Sequence, residues 1–362
     1  MKTAFVCFFP VIPTNMGSAE VVRSLFLCWP GKKKLFQISH LNNKNKSYLK
    51  SFKIIKEKPL FKIVMIPFLI YSVFKFLKDT KNKLVIIEGP SWIGYSFLTL
   101  FIIKIFNSKI KIIYHSHSIE YEVRKMTSSK IIVTLTKFLE KIVFRYADIA
   151  TSVSELERKK INRIYKVNTT NLNNGISKKI IKFSKKKILN FDYIIYCGSY
   201  KYLPNKFAID YLVKNIMPPL VKYNPKIKLV LTGGGYKKNN NFLINLGIVK
   251  KSYLLNLIYN SKAMVVPLDK GTGTRIKIIE SLSIGGVVLS TSKGAEGIKF
   301  WDKENSNLIV EKKNNFIKNL KKILKLNYKP KVSSIFQKKY LMENIVNQFL
   351  NQQNVKNLIK KN

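Results

Sequence analysis

Short β-branched runs alternate with longer amphipathic runs along this chain of 362 residues, and the alternation occurs twice. In the first half, runs at 3–9, 35–39, 84–88, 111–115 and 149–153 read as strands, and 18–27, 61–77, 92–106 and 131–145 as helices. A basic connector at 177–187 follows. The pattern then resumes, with strands at 193–197, 228–232, 263–267 and 287–291 and helices at 206–215, 252–259, 275–283 and 314–324. Strands that are apolar throughout, each followed by a helix, imply parallel sheets covered on both faces. The expected fold class is α/β, with two Rossmann-like, doubly wound domains in tandem. Ligands of such sheets bind at the C-terminal strand edges, and two such edges can face a common cleft. The expected boundaries are 1–176 for the first domain, 177–190 for a linker, 191–330 for the second domain and 331–362 for a helix and tail. Within the last segment, 336–350 reads as an amphipathic helix followed by a fraying polar tail.

Lys and Arg number 66 against 19 Asp and Glu, a net charge of +47. Such a surface is drawn to anionic lipid, phosphate-bearing substrates or nucleic acid. Lysine is equally abundant in loops, so a general compositional bias explains the excess as well. Cys7, Cys28 and Cys197 are widely spaced and form no CxxC or Cys/His cluster, so neither a disulfide framework nor a zinc site is expected. A reduced, cytoplasmic setting fits. The apolar start at 3–9 reads as a first buried strand and not as a signal peptide. Apolar stretches at 63–74 and 93–103 are bounded by lysine and shorter than the ~18 residues of a membrane span. They read as buried helices, with shallow monotopic contact as the alternative.

Residues 267–297 carry the most chemistry. A strand ending at Pro267 enters the small-residue loop Gly271-Thr272-Gly273-Thr274, and a helix follows from Arg275. Free amides at such a loop and helix start bind phosphate oxygens. Arg275 and Lys277 add positive charge there, and Glu280 lies one to two turns further on, within reach of sugar hydroxyls. Phosphate donors beside a hydroxyl acceptor suggest a nucleotide-sugar site. At the other end of the chain, Gly17 and Ser18 open a helix after the first strand. Their amides can meet a phosphate or an acceptor, or Ser18 can act as a plain N-cap. There is no Asp-x-Asp, no Gly-x4-Gly-Lys-Ser/Thr and no Gly-x-Gly-x-x-Gly after the first strand. No metal, P-loop or dinucleotide cofactor is therefore expected.

The order of these motifs resembles family-four retaining glycosyltransferases, which share the GT-B fold. Over 190–300 the match runs through Tyr196-Cys197-Gly198, Pro204-Asn205-Lys206-Phe207-Ala208, Leu231-Thr232-Gly233-Gly234-Gly235, Leu246-Gly247-Ile248-Val249 and the Gly-Thr-Gly-Thr-Arg segment. Tyr146-Ala147-Asp148, Val153-Ser154-Glu155, Asn174-Gly175-Ile176 and His115-Ser116-His117-Ser118-Ile119-Glu120 resemble the family more loosely in the first half. The resemblance implies a C-terminal helix returning to the N-terminal domain. It also implies a nucleoside diphosphate sugar donor, no cofactor, no metal and retention of configuration.

Glu280 matches the second glutamate of the family's Glu-x7-Glu and would hold the ribose, whereas the first falls on Thr272. Gly198, Gly233, Ile248, Val249, Gly273 and Thr274 would line the donor. Ser199 stands where an Arg that grips the diphosphate is common, so Arg275 and Lys277 would supply that charge, with Lys206 a weaker candidate. His117 would touch the donor sugar or orient the acceptor, or be a structural histidine, while His115 would point into the packing. Gly17, Ser18 and Glu120 would meet the acceptor, though Glu120 can equally cap a turn. The implied partners are the donor, a glycan or lipid-linked acceptor and an anionic membrane surface, with the protein peripheral at the inner face of the cytoplasmic membrane. The rival readings are a nucleotide-sugar epimerase on the same fold and a non-enzymatic basic protein that binds membrane or nucleic acid.

Overall fold

The structure, a computed structural model, describes residues 1–14, 16–41, 43, 45–271, 273–298, 307–326, 332 and 334–360. The chain divides into two compact units, Met1–Ser177 with Met342–Asn362, and Lys178–Leu341.

The described part of unit 1 is built on a seven-stranded parallel sheet. Its strands are β1 (Lys2–Cys7), β2 (Lys32–Ser39), β3 (Leu49–Lys53), β4 (Lys83–Glu88), β5 (Lys111–Ser116), β6 (Ile149–Ser152) and β7 (Thr170–Asn171). Its helices are α1 (Gly17–Cys28), α2 (Pro59–Leu77), α3 (Ile93–Phe106), α4 (Glu120–Arg124), α5 (Lys130–Tyr146) and α6 (Glu155–Tyr165). The strand order β3-β2-β1-β4-β5-β6-β7 reverses direction between β1 and β4. Right-handed crossovers therefore place α1 on one face of the sheet and α2, α3, α5 and α6 on the other. A single apolar core joins that second face, with Val85 and Ile112 of the sheet meeting Leu69, Ile103, Val143 and Ile161 of the helices.

The described part of unit 2 carries a six-stranded parallel sheet in the order β10-β9-β8-β11-β12-β13. These strands are β8 (Tyr193–Cys197), β9 (Lys228–Thr232), β10 (Leu243–Asn245), β11 (Ala263–Val266), β12 (Val288–Ser290) and β13 (Leu308–Val310). Helix α7 (Leu203–Tyr211) passes through a π turn at Leu212–Ile216 into α8 (Met217–Tyr223). The others are α9 (Lys251–Asn260), α10 (Ile276–Ser283), α11 (Phe316–Lys325) and α12 (Ser334–Tyr340). Here the order reverses between β8 and β11, so the loops after those two strands flank the switch point where such sheets take ligands.

The C-terminal helices α13 (Met342–Leu350) and α14 (Gln353–Lys360) belong to unit 1. The Met342 amide donates to the Ile176 carbonyl (3.0 Å), and Ser177 Oγ donates to Glu343 Oε1 (2.8 Å). The chain thus leaves unit 1 and re-enters it at neighbouring points. Phe349 of α13 meets the buried Trp29 ring, with centroids 6.1 Å apart.

Four expectations need correction. The segment 336–350 is not one helix but two, divided at Leu341. The residues beyond it form α14 instead of fraying, because Val355 is fully buried and Asn354 Nδ2 donates to Thr170 Oγ1 (2.7 Å). Ser18 is not an N-cap, since α1 starts at Gly17 after an extended Met16 with no side-chain cap. Helix α2 runs 19 residues, long and apolar enough by length and composition to cross a membrane, where a shorter stretch was expected.

Candidate functional site

The sequence motifs of unit 2 converge at the C-terminal ends of β8 and β9. The Gly233 amide donates to the Gly247 carbonyl (2.7 Å), which ties the turn after β9 to the Leu246-Gly247-Ile248-Val249 step. Gly198 donates to the Thr232 carbonyl and Tyr200 to that of Gly234, both at 2.8 Å. These bonds press two backbones together. A Cβ on Gly233, whose φ is +116°, would lie 2.5 Å from the Gly198 carbonyl group. The missing side chains leave bare backbone at the switch-point edge, the arrangement that lets a phosphate approach main chain closely.

Asn205, at the start of α7, sits under that turn. Its Oδ1 accepts from Tyr196 Oη (2.6 Å) and from Lys277 Nζ (3.3 Å), and its Nδ2 donates to the Ser199 carbonyl (3.0 Å). It therefore joins β8, the Gly198 turn and α10. Lys277 is half-buried, with its ammonium 4.3 Å above the centre of the buried Tyr196 ring. Burial, reinforced by the Arg275 charge, brings its pKa down to about 8 against the opposing pull of Cys197 and Glu280.

Arg275 is the residue before α10, and its Nη1 donates to the Gly273 carbonyl (3.0 Å). The guanidinium folds back over Gly271, where a Cβ would meet Nη2 at 2.6 Å. Gly271 and Gly273 have φ of +109° and +81°, which bend the loop around this side chain. Thr274, the preceding residue, is half-buried; so is Val249, whose neighbour Ile248 is exposed. Glu280 is buried within α10 and forms an ion pair with Lys251 at the start of α9. Lys206 is exposed, 5.8 Å from the Tyr200 ring centre. Thr272, where the first glutamate of the family motif falls, lies outside the described residues.

In unit 1 the first-turn amides of Gly17 and Ser18 open α1 beside β1, at that sheet's own switch point. His117 follows the end of β5, and here the sequence reading missed a partner. Glu88, the last residue of β4, is fully buried, and its Oε2 accepts from His115 Nδ1 (2.9 Å) and His117 Nε2 (2.8 Å). Burial alone would raise the Glu88 pKa, but the charge of His115 and the two imidazole hydrogen bonds outweigh it and hold it near about 2. Burial and the neighbouring His115 lower that of His117, against the pull of Glu88. The potential ligand atoms of the three residues lie within 4.8 Å of one another, a spacing a divalent cation can share. The short hydrogen bonds already make these atoms one another's partners.

Glu88→Gln should cost about 2–3 kcal/mol, because buried ring nitrogens lose a charged acceptor. The folded-state pKa lies below the unfolded value near 4.5, so the carboxylate stabilises fully above that pH. The contribution fades as pH falls towards about 2. The gap in urea stability between wild type and variant should accordingly be wide at neutral pH and narrow on acidification.

Glu120 departs from the acceptor-binding expectation. Its Oε2 accepts from the Ile93 amide (2.6 Å), capping α3, and its Oε1 accepts from Arg124 Nε (2.9 Å). Its own amide is held by Glu140 (2.8 Å). Both oxygens are thus engaged in organising unit 1.

Residues 192–326 match the family model for glycosyl transferases group 1. No curated protein matches the chain. Among solved structures, the chain is similar to the lipopolysaccharide outer core galactosyltransferase WaaB, at 14% identity and TM-score 0.55, covering 100% of this chain and 99% of that one. It is similar to HepE from Anabaena in complex with UDP-glucose, at 11% identity and TM-score 0.61, over 100% and 98%. It is also similar to a putative UDP-N-acetylglucosamine 2-epimerase from Listeria monocytogenes, at 11% identity and TM-score 0.57, over 99% and 97%. The chain has the GT-B fold, and its residues 192–326 are similar to the glycosyl transferases group 1 family.

Proposed function

We propose that the protein moves a glycosyl unit from a nucleoside diphosphate sugar to an acceptor hydroxyl, in the assembly of a surface glycan or glycolipid. The observation that carries this reading is the convergence of Gly198, Gly233, Asn205 and Lys277 at the switch-point edge of unit 2. That edge lies wholly within the segment matching the family. In this reading Lys277, Arg275 and the amides of Gly273 and Thr274 meet the charge of the departing diphosphate. Those side-chain cations take the place a metal would otherwise fill. Glu280 exchanges Lys251 for the ribose hydroxyls, while Ile248 and Val249 flank the base. His117, held by Glu88, and the amides of Gly17 and Ser18 take the sugar or acceptor roles that the motif resemblance implies for them. Retention of configuration is part of the proposal, on the strength of the motif resemblance.

A thermal-shift panel of uridine and guanosine diphosphate sugars tests the reading. A matching donor raises the melting temperature in proportion to occupancy. Glu280→Ala should weaken donor affinity by about tenfold or more, the equivalent of one charge-assisted hydrogen bond. Unchanged affinity would remove the ribose role. The fold is shared with a putative epimerase, so products are compared with and without acceptor. Donor epimerised in the absence of acceptor would favour that chemistry instead.

A further inference from the structure

Helices α2, α3 and α5 lie on one face of the unit 1 sheet, with α3 packed against both of the others. Their inner sides form the core, and their outer sides are unusually apolar. Along α2 the exposed large apolar side chains are Leu60, Val64, Phe68 and Tyr71, spaced four, four and three residues apart. That spacing is one continuous helical stripe, and Phe68 and Tyr71 are 59% and 69% exposed. On α3, Phe101, Ile105 and Phe106 face out, the last 74% exposed. On α5, Ile131, Leu135 and Phe138 do the same, with Ile131 81% exposed. Contiguous apolar surface on this scale marks an interaction site.

The charges around it select the occupant. Exposed Lys56 and Lys58 precede the α2 stripe, and exposed Lys75 and Lys78 close it. On α5 the exposed charges are Lys130, Lys137, Lys141 and Arg145. The three helices carry one carboxylate between them, Glu140, and it is fully buried. The acidic side chains beside these helices are engaged, Glu57 with Lys62 (3.2 Å), Asp148 with Lys104 of α3 (2.6 Å) and Glu120 with the Ile93 amide of α3 (2.6 Å), while Asp79 follows α2. An apolar stripe along a whole helix, bracketed by lysines whose stems can snorkel, fits the headgroup boundary of an anionic bilayer. A span through the bilayer does not fit. Ile66, Leu69, Ile70, Val73 and Leu77 of α2 are buried in the unit 1 core, which a span would have to surrender.

We propose that the outward side of α2, α3 and α5 docks on anionic lipid, with α2 lying along the membrane surface. The inference stands apart from the sugar-transfer reading, since vesicle binding requires neither donor nor acceptor.

Flotation of the full chain with phosphatidylcholine vesicles, with and without phosphatidylglycerol, tests it. Strong binding is expected only with phosphatidylglycerol. Phe68→Ser with Tyr71→Ser should weaken it at least about tenfold, since both rings lose their apolar burial. Lys75→Glu with Lys78→Glu should weaken it by about fivefold or more per residue. Both pairs are exposed, and an unchanged melting temperature verifies that each variant is folded. Lys322→Glu with Lys325→Glu, exposed on α11 of unit 2, serves as a charge-matched control and should bind as wild type does. Three results would overturn the proposal: no binding by wild type, an equal loss from the α11 control, or serines that leave vesicle binding intact while converting a dimer to a monomer. The last would make the face an interface between copies of this chain.

Discussion

Lys277→Ala is expected to lower kcat/KM for sugar transfer by about a hundredfold or more, the usual effect of removing one group aimed at developing charge. Two features make this lysine the sharper test. Its ammonium is placed by Asn205 and the Tyr196 ring, so it has little freedom to be elsewhere. Its burial also leaves it with a pKa of about 8, so that its charge titrates within an ordinary assay range. Donor affinity should therefore fall as pH rises through about 8, because the neutral amine no longer attracts diphosphate. Bound diphosphate favours the ammonium and shifts the break upward. Lys277→Arg should retain its charge and flatten the profile. Titration of a nucleoside diphosphate between neutral and alkaline pH measures both. Stability moves the other way. Because the folded-state pKa lies below the unfolded value of 10.5, the unfolded chain holds the proton more tightly in that window, so this residue favours folding increasingly as pH rises. Opposite slopes for affinity and stability would trace both effects to one amine. A profile without a break near that pH would move the diphosphate contact to another residue.

Gly233→Ala should have the largest effect on folding. The new Cβ would stand 2.5 Å from the Gly198 carbonyl, at a φ of +116° that L side chains rarely adopt. Strain and overpacking together are expected to cost roughly 3 kcal/mol or more. Gly247→Ala is the control. Its φ of +62° is also positive, but a Cβ there meets nothing within 4 Å. About 1 kcal/mol is expected for it, from backbone strain alone. Urea unfolding of the two variants separates close approach from left-handed strain. Equal costs would show that the Gly198–Gly233 contact relaxes easily.

The parallel sheets were legible because their strands are buried on both sides and read as unbroken apolar runs, such as β4, β8 and β11. Strands β3, β7, β10 and β13 were not. They are short or lie at sheet edges, and the Leu-Lys-Ser-Phe-Lys sequence of β3 is half polar. Helix α6 was missed because it is strongly charged and buries only Glu157, Ile161 and Tyr165. Within the candidate site, the glycines and α10 were readable because their spacing is local. Lys251, Asn205 and Glu88 act through residues 29, 72 and 27 or 29 positions away. One lysine among so many carries no signal of such a pairing. Glu88 did offer one, as a carboxylate closing an otherwise apolar buried strand, since a charge so placed requires a partner.

The adjacency of Ile176 and Met342 has a consequence for how the polypeptide is made. The ribosome delivers the whole of unit 2 before the last helices of unit 1 emerge. Until then the Trp29 side of the first sheet is without α13. The nascent chain must hold that half-finished layer in solution while the second unit forms downstream, and only the synthesis of α13 seals it.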